Sequence, residues 1–238
     1  MNSNNTINAS NVGNAIWQKL QNAMPTTPVE EFGELHDLKD LAGNSTGSIE
    51  VLTAPNLVKM SLLSINMGPG RYFNIHVIPQ ANLQVPRFLF EGMAMPGSSQ
   101  LSLDLFPDTD VFMETNSFLE LYSDIIPVYT EARMESVVAF EASRQVHMRA
   151  FSSPVFLCAF QAPDEHVEKI EDFAHRYLDA WLKILSSPEQ LDAEATATRE
   201  KRRKHMQESI IDLDPDRGRV VAVYGEKTTR NIELASML

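Results

Sequence analysis

The stretch that decides the fold runs from Leu57 to Phe106: LVKMSLLSINMGPGRYFNIHVIPQANLQVPRFLFEGMAMPGSSQLSLDLF. Gly68-Pro69-Gly70 and Pro96-Gly97 cut it into short apolar runs. In the last run Leu101, Leu103 and Leu105 alternate with Ser102 and Asp104, the pattern of a strand with one buried face. Strands are expected over 57–65, 71–78, 86–92 and 100–106, with another at 49–53 across the Pro55-Asn56 break. Links this short join neighbouring strands as hairpins, which predicts an antiparallel meander.

Helical spacing flanks the meander. Ile16, Trp17 and Leu20 form one apolar stripe of a short helix over 15–24, behind an uncharged terminus (1–14) that reads as disordered. Ser117-Phe118-Leu119-Glu120 is a capping-box spacing and predicts a helix start at Ser117. Two more strands are expected at 145–151 and 155–161, broken at Ser153-Pro154. A long helix follows over 164–185, with Val167, Ile170, Ala174, Tyr177, Trp181 and Leu185 on one face. Ser187-Pro188-Glu189-Gln190 reads as the start of another helix, and a last one is expected near Pro215 or after Gly225. Strands with helices before and after them, apolar on both faces, imply an α+β chain. The expected form is a three-layer α/β/α sandwich with a central, mostly antiparallel sheet, as one domain over 15–238.

Composition removes several functions. The 238 residues carry a net charge of −12, which disfavours non-specific nucleic-acid binding. No apolar run is long enough to span a membrane, and MNSNNTINAS reads neither as a secretory signal nor as a transit peptide. The single cysteine, Cys158 in PVFLCAF, rules out a disulfide within the chain and suits a reducing cytoplasm, the expected location. Nucleotide-binding glycine motifs, a nucleophile elbow and zinc spacings are absent, and the six histidines are scattered. No bound cofactor and no metal are therefore expected, so a redox enzyme built on this chain would draw electrons from outside.

Between residues 71 and 161 the sequence resembles red chlorophyll catabolite reductase. The likeness is carried by PRFLFEGMAMPGSSQLSLDLFPDTDVFMETNSFLELYSD and by RAFSSPVFLCAF. The C-terminal SIIDLDPDRGRVVAVYG resembles both that enzyme and the ferredoxin-dependent bilin reductases. The resemblance implies a sheet with a linear tetrapyrrole bound between it and the C-terminal helices. Reduced ferredoxin would deliver single electrons, and side chains would deliver protons. It implies biliverdin as first substrate and red chlorophyll catabolite as second. A non-catalytic bilin carrier or lyase with the same fold is the alternative.

Several residues carry that expectation. Glu91 lies in FLFEGM, where a bare carboxylate is costly unless it is bonded or protonated. It is either a solvent-face strand residue or, by the resemblance, an active-site acid. His76 in YFNIHVIP is either structural or, as in some bilin reductases, a partner of the substrate's lactam oxygens. The acid those enzymes carry one strand earlier is missing from KMSLLSIN, where Ser64 or Asn66 stands instead. Asp214 and Asp212 in IIDLDPDRG are helix caps or the second acid, with Asp214 placed first. Arg217 and Arg219, then Arg71 and Arg87, are candidates to hold propionates. Lys201, Arg202, Arg203 and Lys204 form a basic run, either a solvated face or a docking patch for acidic ferredoxin.

Overall fold

In a computed structural model the meander is present, with strands longer than the sequence indicated; the structure describes residues 9–138 and 146–237. The strands are β1 (Thr27–Pro28), β2 (Leu38–Lys39), β3 (Ser45–Thr53), β4 (Leu57–Met67), β5 (Gly70–Pro79), β6 (Arg87–Met95), β7 (Ser98–Phe106) and β8 (Leu157–Pro163). They pair in the order β1-β3-β4-β5-β6-β7-β8, with β2 also on β3, and every pairing is antiparallel. The turn at Pro96-Gly97 leaves only two residues between β6 and β7, and Gly97 supplies the positive φ (77°) it needs.

The helices are α1 (Ala9–Ala23), α2 (Thr115–Leu121), α3 (Ile125–Ala132), α4 (Val146–Phe151), α5 (Asp164–Ser186), α6 (Ala193–Asp212) and α7 (Arg217–Ser236). The sheet is covered on both faces. On one, Phe73, Ile75, Val77, Phe88, Phe90, Leu101, Leu103 and Leu105 bury against α1, α3 and α5. On the other, Ile49, Val51 and Leu63 pack against Tyr224, Ile232 and Ala235 of α7. This is the three-layer α+β sandwich expected from the pattern. Each fully buried large side chain, such as Trp181 or Phe88, contributes roughly 1.5–3 kcal/mol by leaving water.

Four local expectations are corrected. Helix α1 begins at Ala9, because Val12 extends the Ile16 and Leu20 stripe by one turn into the core; residues 1–8 lie outside the described residues. Helix α2 begins at Thr115 and Ser117 makes no cap: Asp110 Oδ1 already takes the amides of Phe112 and Met113, so the chain is turning before it. The run expected as a strand over 145–151 is helical from Val146. Its apolar and polar residues alternate as in a strand, but the edge of β7 that it would need is already taken by β8. The segment after Ser187 stays non-helical because Glu189 and Leu191 bond main-chain groups of Gln84 and Asn82. Helix α6 starts at Ala193 with Asp192 as its cap (Oδ1 to the Ala195 amide, 2.8 Å).

The last helix satisfies both predicted starts. It begins at Arg217 and breaks direction at Gly225 (φ 78°, ψ 160°), a conformation few residues but glycine adopt.

Candidate functional site

Antiparallel register sets residues of neighbouring strands in straight rows, and alternate residues share a face. On the α7 side one row reads Ile49, Leu63, Asn74, Glu91, Ser102, Cys158. The next reads Val51, Ser61, His76, Leu89, Asp104. Tyr72 and Met93 are paired in a third. Glu91 thus stands mid-sheet between Leu89 and Met93, and these three side chains are half-exposed while most of their neighbours are buried.

Glu91 is held from β5. Its Oε2 accepts the Tyr72 hydroxyl at 2.8 Å and the Asn74 amide at 3.3 Å, and Asn74 also donates to the Tyr72 oxygen at 3.3 Å. Burial raises the Glu91 pKa; the two hydrogen bonds oppose that rise and the charge of Asp214 adds to it. Asp214, in the link between α6 and α7, acts on Tyr72 in the same sense. The fold therefore brings Asp214 within electrostatic reach of Glu91. Its Oδ1 accepts the Asp216 amide at 2.8 Å, a turn bond, so it does not serve as the α7 cap. Asp212, the last residue of α6, is exposed.

His76 sits one row from Glu91, buried beneath the end of α7. Its Nδ1 lies 2.9 Å from the Ser236 carbonyl, so that nitrogen carries the proton, and Nε2 has no partner. Burial, then the charge of Arg87, pushes its pKa down to about 3. His76 is thus neutral and ties the last turn of α7 to the sheet.

The arginines are redistributed. Arg87 is 1% exposed and donates to both oxygens of Asp108 at 2.7–3.0 Å. Arg203, in the run expected to face solvent, is also buried; it donates to Asp108 at 2.9 Å and to the Pro79 carbonyl at 2.8 Å. Arg199, one turn earlier, donates to the carbonyls of Leu83 and Val85. Burial would raise the Asp108 pKa; Arg87 and Arg203 outweigh it and hold the carboxylate below its usual range. Arg87 and Arg203 are thus corrected from propionate and docking roles to a structural cluster. Arg71 is exposed and bonds Ser64 at 2.7 Å. With Ser64 and Asn66 it occupies the sheet face opposite Glu91, because each alternates with an α7-facing neighbour. Arg217 is engaged by Glu226 and Glu233 at 2.6 and 2.7 Å. Among the described residues Arg219, 85% exposed, makes a surface pair with Asp216. Lys201, Arg202 and Lys204 remain exposed on α6.

Sequence reasoning missed Tyr72, Asn74, Ser102 and Cys158. A signal existed for one: the two-residue turn at Pro96-Gly97 sets Ser102 opposite Glu91. Among the described residues, no three His, Cys, Asp or Glu side chains gather to hold a metal ion, and no helix is long and apolar enough to cross a membrane.

No protein-family model matches the chain, and no curated protein does. Among solved structures, phytochromobilin synthase from tomato, crystallised with biliverdin, aligns with a TM-score of 0.80 over 92% of this chain and 79% of its own, at 15% identity. The chain shares the fold of that biliverdin-bound protein.

Proposed function

We propose that the protein binds a linear tetrapyrrole against the open strip of Leu89, Glu91 and Met93 and reduces it with single electrons from reduced ferredoxin. The carrying observation is a carboxyl whose pKa burial raises, flanked by apolar side chains on the sheet floor, with a second carboxylate near it. A flat conjugated pigment suits an apolar floor, and a protonated acid beside it can supply a proton to a one-electron-reduced intermediate. For each double bond reduced, two electrons arrive one at a time and two protons follow. Glu91 supplies one and recovers it from water, and Asp214 relays the other from water. Biliverdin is the first substrate and red chlorophyll catabolite the second. The shared fold with a biliverdin-bound protein supports the bilin class. Arg219 is the arginine free to exchange its exposed partner for a propionate.

The chain holds no cofactor of its own in this reading, so the donor must dock. Lys201, Arg202 and Lys204 present a positive face to an acidic ferredoxin. The double variant Lys201→Glu/Lys204→Glu should slow turnover about tenfold at low ionic strength, by weakening encounter, and the gap should close in high salt.

One observation favours the carrier or lyase instead: the α7-facing residues of β4 near Glu91 are Ser61, Leu63 and Ile65, none of them acidic. Biliverdin titration followed by anaerobic addition of reduced ferredoxin separates the two. A reductase bleaches or shifts the bilin absorption with turnover and passes through a radical. A carrier shows a static binding shift, and the absence of any spectral titration rejects both.

A further inference from the structure

The hydrogen bonds of Glu91 fall on one oxygen. Oε2 takes both donors, the Tyr72 hydroxyl and the Asn74 amide. Oε1 takes neither, and the Glu91 side chain is half-exposed, so Oε1 is the oxygen left to the open strip. A protonated carboxyl has two unlike oxygens: the carbonyl oxygen is the strong acceptor and the hydroxyl oxygen is the donor. Tyr72 has one hydroxyl proton, and it is committed to Glu91 while the Tyr72 oxygen accepts from Asn74.

We propose that Tyr72 is a positioning residue that keeps the acid proton of Glu91 on Oε1, facing the open strip. The inference rests on the tetrapyrrole reading for its purpose, but not for its geometry. In the transfer step the Oε1–H bond breaks and a bond from that hydrogen to the reduced pigment forms. The electron pair of the O–H bond stays on Glu91 as a carboxylate. Tyr72 and Asn74 already donate to that carboxylate, so the charged product is stabilised without rearrangement. Asp214 acts in the opposite sense, disfavouring the second negative charge and returning Glu91 to its acid form. The other groups in its row are Ser102 from β7 and, beyond it, Cys158 from β8. Burial pushes the Cys158 thiol up to about 11, so it stays uncharged and leaves the balance to Tyr72, Asn74 and Asp214.

The test begins on the full chain without substrate. Infrared difference spectra identify the protonated carboxyl band of Glu91 by its loss in Glu91→Gln. Tyr72→Phe should move that band to higher wavenumber, because the carbonyl oxygen loses a donor. It should also raise the Glu91 pKa. Turnover needs the acid form, present below its pKa, so the alkaline limb of the rate profile should move up by about one pH unit. Asn74→Ala should move both readouts in the same direction by less, and serves if Tyr72→Phe does not fold. An unmoved band in the variant that folds overturns the inference, as does an ionised Glu91 in the wild-type chain at neutral pH. A moved band with no bilin turnover would instead reject the reductase reading and leave the positioning role standing.

Discussion

Asp108→Ala is expected to cost about 3–5 kcal/mol of stability, a large fraction of the roughly 5–15 kcal/mol that holds a folded domain together. Asp108 is 7% exposed and is the carboxylate partner of both Arg87 and Arg203, which are themselves 1% and 7% exposed. Removing it leaves two buried guanidinium ions, with Arg199 close by, without the carboxylate that bonds them both. A buried ion that loses its partner retains its desolvation cost and loses its compensation, which is why the deletion costs more than the pair contributes. Asp108 also holds φ at 53°, a left-handed conformation that Asp tolerates better than Ala. Urea unfolding should show a lower midpoint at unchanged slope. The deficit should shrink in acid. The folded-state pKa of Asp108 is depressed, so its contribution is present above the unfolded value and lost as pH falls through the folded one. A variant within about 0.5 kcal/mol of wild type would show that the cluster does not hold α6 to the sheet.

On the proposed reading, Glu91→Gln is expected to lower tetrapyrrole turnover by about 10²–10⁴-fold while changing biliverdin affinity little. Glutamine keeps an oxygen for Tyr72 and Asn74 and has no acidic proton to give. Electrons would still arrive, so a radical should accumulate in place of product. Asp214→Asn should have a smaller effect, because Asp214 is half-exposed and water can replace it as a proton source. Unchanged turnover in both variants would remove these two residues from the chemistry.

The likeness between the corrected arginines explains why sequence misplaced them. Arg199, Arg203, Gln207 and Ile211 recur at every fourth position and form the buried stripe of α6. A stripe of this kind is read from sequence only when it is apolar. Here it is polar, because it docks on the main-chain carbonyls of Pro79, at the end of β5, and of Leu83 and Val85 in the link to β6. Carbonyls belong to every residue and leave no mark in the sequence. The same link receives the Trp181 indole at the Pro86 carbonyl, 2.8 Å away, so three long side chains fix a connection that reads as an ordinary loop.

The sequence by itself determined the meander, the two covered faces and part of the register. Two-residue turns at Gly68-Pro69 and Pro96-Gly97 set Asn74 opposite Leu63 and Ser102 opposite Glu91. Period-two alternation then assigns each residue to a face. Tertiary structure decided what stands beside Glu91. The β5–β6 link is too long for a turn to set its register, so the pairing of Asn74 with Glu91 depends on that link being held by arginines of α6 and the tryptophan of α5. Asp214 reaches the same site from more than a hundred residues away in the chain, because α6 and α7 pack back over the sheet. Local rules act over a turn of chain, whereas the surroundings of Glu91 are assembled from groups that only packing brings together.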